Sequence, residues 1–220
     1  MPVYEKFICL EPTPSMQEAA IYHAQQRTRK IVRRFIPRDA PLSHPESNYI
    51  GALGELAVYQ YFGIDRDLPD NYANQRVDEG DICIRGLIYD VKTEAIPMRY
   101  YRRLFYGAIE AHEPYGCRVW TARHIQHLKK YTGGVIFVAV PIPNDSKTDQ
   151  NANQLRPRIV DFARQVLIIG YVRQDEFIGR EPGWDSPPNP VSGRRHRYNS
   201  PNYMFHHSEI HPIRELQMAV

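Results

Sequence analysis

Asp81, Asp90 and Lys92 are the residues of this chain whose types and spacing could do chemistry. They fall in one stretch, Gly80-Asp81-Ile82-Cys83-Ile84-Arg85-Gly86-Leu87-Ile88-Tyr89-Asp90-Val91-Lys92-Thr93. Two short runs rich in Ile, Val and Tyr flank the dipeptide Arg85-Gly86, which reads as a two-residue hairpin turn and sets the strand register. Pairing Ile84 with Leu87 puts Cys83 opposite Ile88, Ile82 opposite Tyr89 and Asp81 opposite Asp90. Directly opposed residues have Cβ atoms only about 4.5–5.5 Å apart, and two carboxylates that close repel unless a proton or a cation lies between them. Lys92, two residues past Asp90, shares its face of the strand. Two acids and a lysine converging on a point are a candidate metal-dependent active site. The bland alternative is a surface turn in which one aspartate pairs with Lys92, an interaction of small net value.

A buried helix must stand beside this hairpin. From Ile50 to Phe62 only Glu55 and Gln60 are strongly polar, so the segment Asn48–Gly63 predicts a helix covered nearly all round, with Gly63 as its terminator. Gly51 and Gly54 imply close backbone packing. A glutamate inside such a helix needs a partner, so Glu55 is either half of an ion pair or a third acid of the site.

The remaining elements frame these two. Ser15 with Glu18 reads as a capping box opening a helix from Met16 to about Phe35, basic in its second half through Arg27, Arg29, Lys30, Arg33 and Arg34. Those cations are either a solvated face or an arm for phosphates. Pro37 to Pro45 reads as a linker and residues 64–79 as an acidic loop. Strands are predicted at Arg118–Thr121, Val135–Val140 and Val166–Val172, the second as a continuous apolar run of the kind found in a strand buried on both faces. Residues 99–106 mix Tyr and Arg, suited to stacking bases or to ordinary packing. Residues 1–14 read as irregular and 181–202 as loop; Tyr203–Phe205 reads as an edge strand and Pro212–Met218 as a short helix. His124, His127, His206, His207 and His211 lack the spacing of zinc ligands and read as surface histidines.

Composition narrows the class. The chain of 220 residues suits one domain, and its 42% hydrophobic content supports a genuine core. The three cysteines, Cys9, Cys83 and Cys117, are far apart, which excludes a disulfide framework and fits a reducing compartment. Met1 to Lys6 lacks the pattern of a signal peptide and no apolar run reaches membrane-spanning length, so the expectation is a cytoplasmic protein. A net charge of +3 permits nucleic acid binding without arguing for it.

A helix glutamate followed by a hairpin carrying Asp and then Asp-x-Lys resembles the PD-(D/E)XK nuclease superfamily. The matching residues are Glu55, Asp81, and Asp90-Val91-Lys92, and the likeness covers roughly residues 45–178. The proline that precedes the first aspartate in that family is Gly80 here. The resemblance implies an α/β fold: a restriction-endonuclease-like αβββαβ core with a mixed central sheet flanked by helices. Added to it would be an N-terminal arm and helix (residues 1–44) and a loop-rich C-terminal extension (residues 179–220). It also implies a cytoplasmic Mg²⁺-dependent DNA endonuclease, Mn²⁺ substituting, acting on duplex or branched DNA and in some members as a homodimer. Asp81 and Asp90 would bind the metal with the Val91 carbonyl, Glu55 would hold water or a second ion, and Lys92 would assist the attacking water. Arg27, Lys30, Arg34, Arg102, Arg103, Lys129, Lys130, Arg194 and Arg195 are the candidate nucleic-acid contacts. The competing readings are a non-catalytic nucleic-acid-binding or assembly module on the same fold, and an RNA-directed nuclease.

Overall fold

A computed structural model describes residues 3–30, 42–65, 80–122, 125–145, 154–195 and 197–218. The chain begins with β1 (Ile8–Leu10), α1 (Pro14–Lys30) and α2 (His44–Phe62), then the hairpin β2 (Ile82–Ile84) and β3 (Leu87–Pro97). It continues through α3 (Met98–Phe105), β4 (Cys117–Thr121), α4 (Ile125–Leu128), β5 (Gly134–Ile142), α5 (Pro157–Phe162) and β6 (Val166–Val172). The last elements are α6 (Gln174–Ile178), β7 (Gly183–Asp185), β8 (Arg197–His206) and α7 (Glu215–Met218).

The architecture is α/β. A mixed five-stranded sheet has the order β1-β6-β5-β3-β2, with β3 and β5 parallel and the other pairs antiparallel. A smaller antiparallel sheet has the order β4-β8-β7. All of β5 is buried because both of its faces are covered. Ile136, Val138, Val140 and Ile142 pack with α1, α2 and α5, whereas Val135, Phe137 and Ala139 pack with side chains of β4, β8, α3 and α6. Strand β3 obeys the same alternation: Tyr89 and Val91 join the helical side and Ile96 the other.

Local chemistry explains where the elements start and stop. Helix α1 begins at Pro14, with the Met16 amide donating to Thr13 Oγ1 at 3.2 Å, so Thr13 does the capping expected of Ser15 and Glu18. Its described part ends at Lys30; the expected continuation to Phe35 lies outside the described residues. The capping box instead opens α2: Ser43 and Glu46 exchange backbone and side-chain bonds, and Pro45 sits in the first turn, where its missing amide hydrogen costs nothing. Pro45 therefore belongs to the helix and not to a linker. Gly63 terminates α2 at φ 65°, as its sequence position predicts.

Residues 98–105 form a helix that buries Tyr101 and Leu104 and exposes Arg102 and Arg103. Two further expectations are corrected. Residues 8–10 form a strand because β6 offers an open edge for them to pair with. Much of 181–202 is strand: β8 starts at Arg197 and is the centre of its sheet, held between β4 and β7. No helix among the described residues is long and apolar enough to cross a membrane.

Candidate active site

The hairpin turn adopts φ 54° at Arg85 and φ 81° at Gly86, the positive pair whose twist matches the flanking strands. The register follows as expected: Ile84 opposite Leu87, Cys83 opposite Ile88 and Ile82 opposite Tyr89. One step further the ladder departs from the simple pattern. The Asp81 amide donates to the Tyr89 carbonyl at 2.9 Å, with Gly80 at φ 96°, and Asp81 is not a ladder partner of Asp90. Its carboxylate instead accepts the Val91 amide at 2.6 Å, so a side chain satisfies β3 just where β2 runs out. The Tyr59 hydroxyl of α2 donates to the Asp81 carbonyl at 2.7 Å and locks this corner to the helix.

Asp90 lies on the opposite face of β3 from the helices. Its Oδ2 accepts the Trp120 indole N–H of β4 at 3.2 Å, and the residue is 8% exposed. Two residues along the same face is Lys92, half-buried, and two further is Glu94. Glu94 is held by the buried Arg118 guanidinium and by the Val119 amide at 3.2 Å. Strand β4 thus lies over β3 with Trp120 on one acid and Arg118 on the next but one, and Lys92 between them. Among the described residues Lys92 makes no hydrogen bond or ion pair, so the salt-bridged turn is not formed.

Glu55 takes the ion-pair course. It is 7% exposed, and Arg27 of α1 grips it with two parallel bonds, Nη1 to Oε1 at 2.9 Å and Nη2 to Oε2 at 2.5 Å. Helix α2 sits on the other face of the sheet from Asp90: a Cβ added at Gly54 would fall 2.0 Å from Thr93 Oγ1. Among the described residues no three His, Cys, Asp or Glu side chains form a metal-holding group. The arrangement therefore brings Asp81 and Asp90 to the two sides of one peptide unit, sets Lys92 on the Asp90 face, and leaves Glu55 engaged by Arg27. Asp81, just before β2, and Asp90, in β3, both offer carboxylate oxygens, the donors that hard divalent ions prefer. Glu55 as placed does not fit as a third ligand.

The expected nucleic-acid contacts are spread over several elements. Arg27 is turned inward to Glu55, so it is not part of a phosphate arm. Arg34 and the side chain of Lys30 lie outside the described residues. Arg102 is exposed on α3, while Arg103 bonds Glu113 and, at 2.8 Å, the Ala108 carbonyl. Lys129 and Lys130 are exposed after α4, and Arg194 and Arg195 are exposed between β7 and β8. Two histidines depart from the surface reading: His207 is buried against Tyr4 and Phe7, and His211 meets Glu176 at 3.0 Å. His124 lies outside the described residues.

Sequence reasoning missed Trp120 and Arg118. Their alternation on one strand was a signal of a shared face, but nothing local says that this face covers β3. Searches against protein-family models, curated proteins and solved structures find no match to this chain.

Proposed function

We propose that the chain is a metal-dependent nuclease of the PD-(D/E)XK type that hydrolyses phosphodiester bonds in DNA. The observation that carries this reading is the 2.6 Å bond from the Val91 amide to the Asp81 carboxylate, which joins the first acid of the hairpin to the Asp90-Val91-Lys92 tripeptide. The connectivity agrees with it: an antiparallel hairpin, then a crossover through α3, β4 and α4 to the parallel strand β5. Among the described residues two strands, β2 and β3, stand between α2 and α3.

Asp81 and Asp90 would hold Mg²⁺, or Mn²⁺ in its place. The ion supplies shielding of the phosphodiester charge and Lewis-acid polarisation. Trp120 orients Asp90 from behind, so that carboxylate is fixed before any ligand arrives. Lys92 is available to donate hydrogen bonds to the charge that develops on the phosphoryl oxygens, and to position the attacking water. The water oxygen forms a new P–O bond, the bond to the leaving sugar oxygen breaks, and the proton given up by water ends on that oxygen. Glu55 contributes only if Arg27 releases it, so its resting role is to tie α1 to α2.

A cleavage panel tests the proposal. Supercoiled, linear, single-stranded and branched DNA, with RNA alongside, are incubated with Mg²⁺, Mn²⁺ or EDTA. The expected result is metal-dependent cutting of DNA that falls by at least about a hundredfold in Asp90→Ala and Lys92→Ala, the scale of losing one electrostatic contact to a transition state. Variants that cut as well as the parent sink the assignment. Salt-sensitive binding without turnover under any ion would favour the binding-module reading.

A further inference from the structure

A cavity of about 550 Å³ opens at the other end of β3 from Asp90, just beyond the carboxyl ends of the parallel pair β3 and β5. Its walls come from Met98, Arg99 and Arg102 of α3, Asn144 and Asp145 after β5, and Arg158 and Phe162 of α5. In open α/β sheets, the crevice outside the carboxyl ends of parallel strands is where loops leave in different directions and room for a ligand is left. What distinguishes this crevice is its chemistry: three arginines and one aspartate line it.

The partners of those guanidiniums are unequal. Among the described residues the Arg102 side chain makes no hydrogen bond or ion pair, and that of Arg99 only stacks on the Tyr100 ring, 4.7 Å from its centroid. Arg158 bonds Asp145 at 2.7 Å and lies 5.9 Å from the Phe162 centroid. That ion pair is exposed on both sides, the kind that yields readily to a competing anion. The Arg99 amide is already taken by Asn144 Oδ1 at 2.9 Å, which fixes the start of α3 against the strand ends and leaves the arginine side chains as the donors. Planar guanidiniums bind phosphate oxygens in pairs, and this match is the reason arginine rather than lysine recurs at such sites. On the far side of Met98 and Phe162 a smaller cavity of about 380 Å³ carries Glu11 and Asp161, which would repel the same ligand.

We propose that Arg99, Arg102 and Arg158 form a binding cleft for a phosphate group, separate from the hairpin acids. The chemistry recognised is a phosphate monoester or diester; its source is either the backbone of a nucleic acid strand or a small free phosphate. Tyr100, stacked under Arg99 and 5.3 Å from the Tyr115 ring, holds that guanidinium against an aromatic face. The proposal does not depend on the hairpin reading, since none of its residues belongs to that site.

The test measures binding of a labelled single-stranded oligonucleotide by fluorescence anisotropy over a salt series, and of inorganic pyrophosphate by calorimetry. The full chain is compared with Arg99→Ala/Arg102→Ala and Asp145→Asn, each checked for an unchanged unfolding midpoint. The double variant is expected to lose at least about tenfold in oligonucleotide affinity and about 1.4 in the slope of log affinity against log salt. Asp145→Asn, freed of the competing carboxylate, is expected to bind more tightly. Pyrophosphate binding that depends on the two arginines, without oligonucleotide binding, supports the cleft and identifies its ligand as a small phosphate. If the double variant binds both probes as the parent does, or if the parent binds neither, the cleft is not a phosphate site. A Lys92→Ala protein that cuts DNA as well as the parent would overturn the hairpin site assignment and leave this proposal standing.

Discussion

Trp120 Nε1 stands 3.2 Å from Asp90 Oδ2, so a strand of the small sheet orients an acid that belongs to the large one. The indole is itself fixed, packing edge-on against Phe177 with centroids 5.2 Å apart. Trp120→Phe keeps most of that ring packing and removes the donor. We expect it to lower stability by about 1–3 kcal/mol through the weakened carboxylate contact. We also expect about tenfold more Mg²⁺ to be needed for a given rise in the unfolding midpoint. Denaturant melts across a Mg²⁺ series read both effects; equal Mg²⁺ dependence in the two proteins would remove Trp120 from the site.

The Arg27–Glu55 pair leads to a different expectation. Both groups are nearly sealed from solvent, and taking away one of them removes the two-bond partner of a buried charge. Arg27→Met should therefore cost about 3–5 kcal/mol. The double variant Arg27→Met/Glu55→Met should recover much of that loss, because apolar replacement of a whole buried pair is often near neutral. A double-mutant cycle by urea unfolding measures the coupling. Cleavage activity retained in a folded Glu55→Gln protein would assign the glutamate to the framework alone.

What could be read before the structure was known followed the range of the interactions. The register of the hairpin is a local matter of Arg85, Gly86 and alternation, and it was legible to the third pair. The burial of β5 was legible too, because a run with no polar residue has no face to give to water. That Glu55 needs a partner was legible; that Arg27 supplies it depends on how α1 lies against α2. Tyr203–Phe205 was read as strand, but the first half of β8 was illegible for the same reason: its Arg, Asn, Ser and Pro content argues for loop, and pairing with β7 makes a strand of it. The Asp81 corner was missed at finer scale, where one glycine at positive φ turns an expected cross-strand pair into a side-chain cap.

Thr93 and Gly54 meet so closely that each restricts the other. Thr93 Oγ1 is buried with no hydrogen-bond partner, and a Cβ at position 54 would overlap it. Thr93→Val removes an unsatisfied hydroxyl at nearly constant shape and should stabilise the protein by about 1 kcal/mol. Gly54→Ala should destabilise it by roughly 2–3 kcal/mol, since α2 must move off β3 to admit the methyl group. Thermal unfolding of the two variants should shift in opposite directions; shifts of the same sign would mean that the helix slides along the strand without strain.

His207 makes stability depend on pH. The residue is 3% exposed, and burial, followed by the neighbouring charges of His206, Arg118 and Lys6, lowers its pKa from 6.5 to about 4, against the pull of a hydrogen bond to the Gly107 backbone. In the unfolded chain the imidazole takes a proton below its ordinary value; in the folded protein it does so only near pH 4. Between those limits the unfolded state binds more protons, so stability falls as the pH is lowered, by on the order of 3 kcal/mol across the window. The depressed carboxylates Glu46 and Glu209 lose their contribution only as the pH drops through and below the ordinary glutamate range, so they act at the acid end of it. His207→Phe keeps a ring against Tyr4 and Phe7 and removes the titration. Its unfolding free energy should be nearly level from pH 6.5 down to about 5, where the parent declines steadily, as urea melts at fixed pH steps would read. A parent that is equally level in that range would mean that His207 reaches water and protonates normally in the folded state.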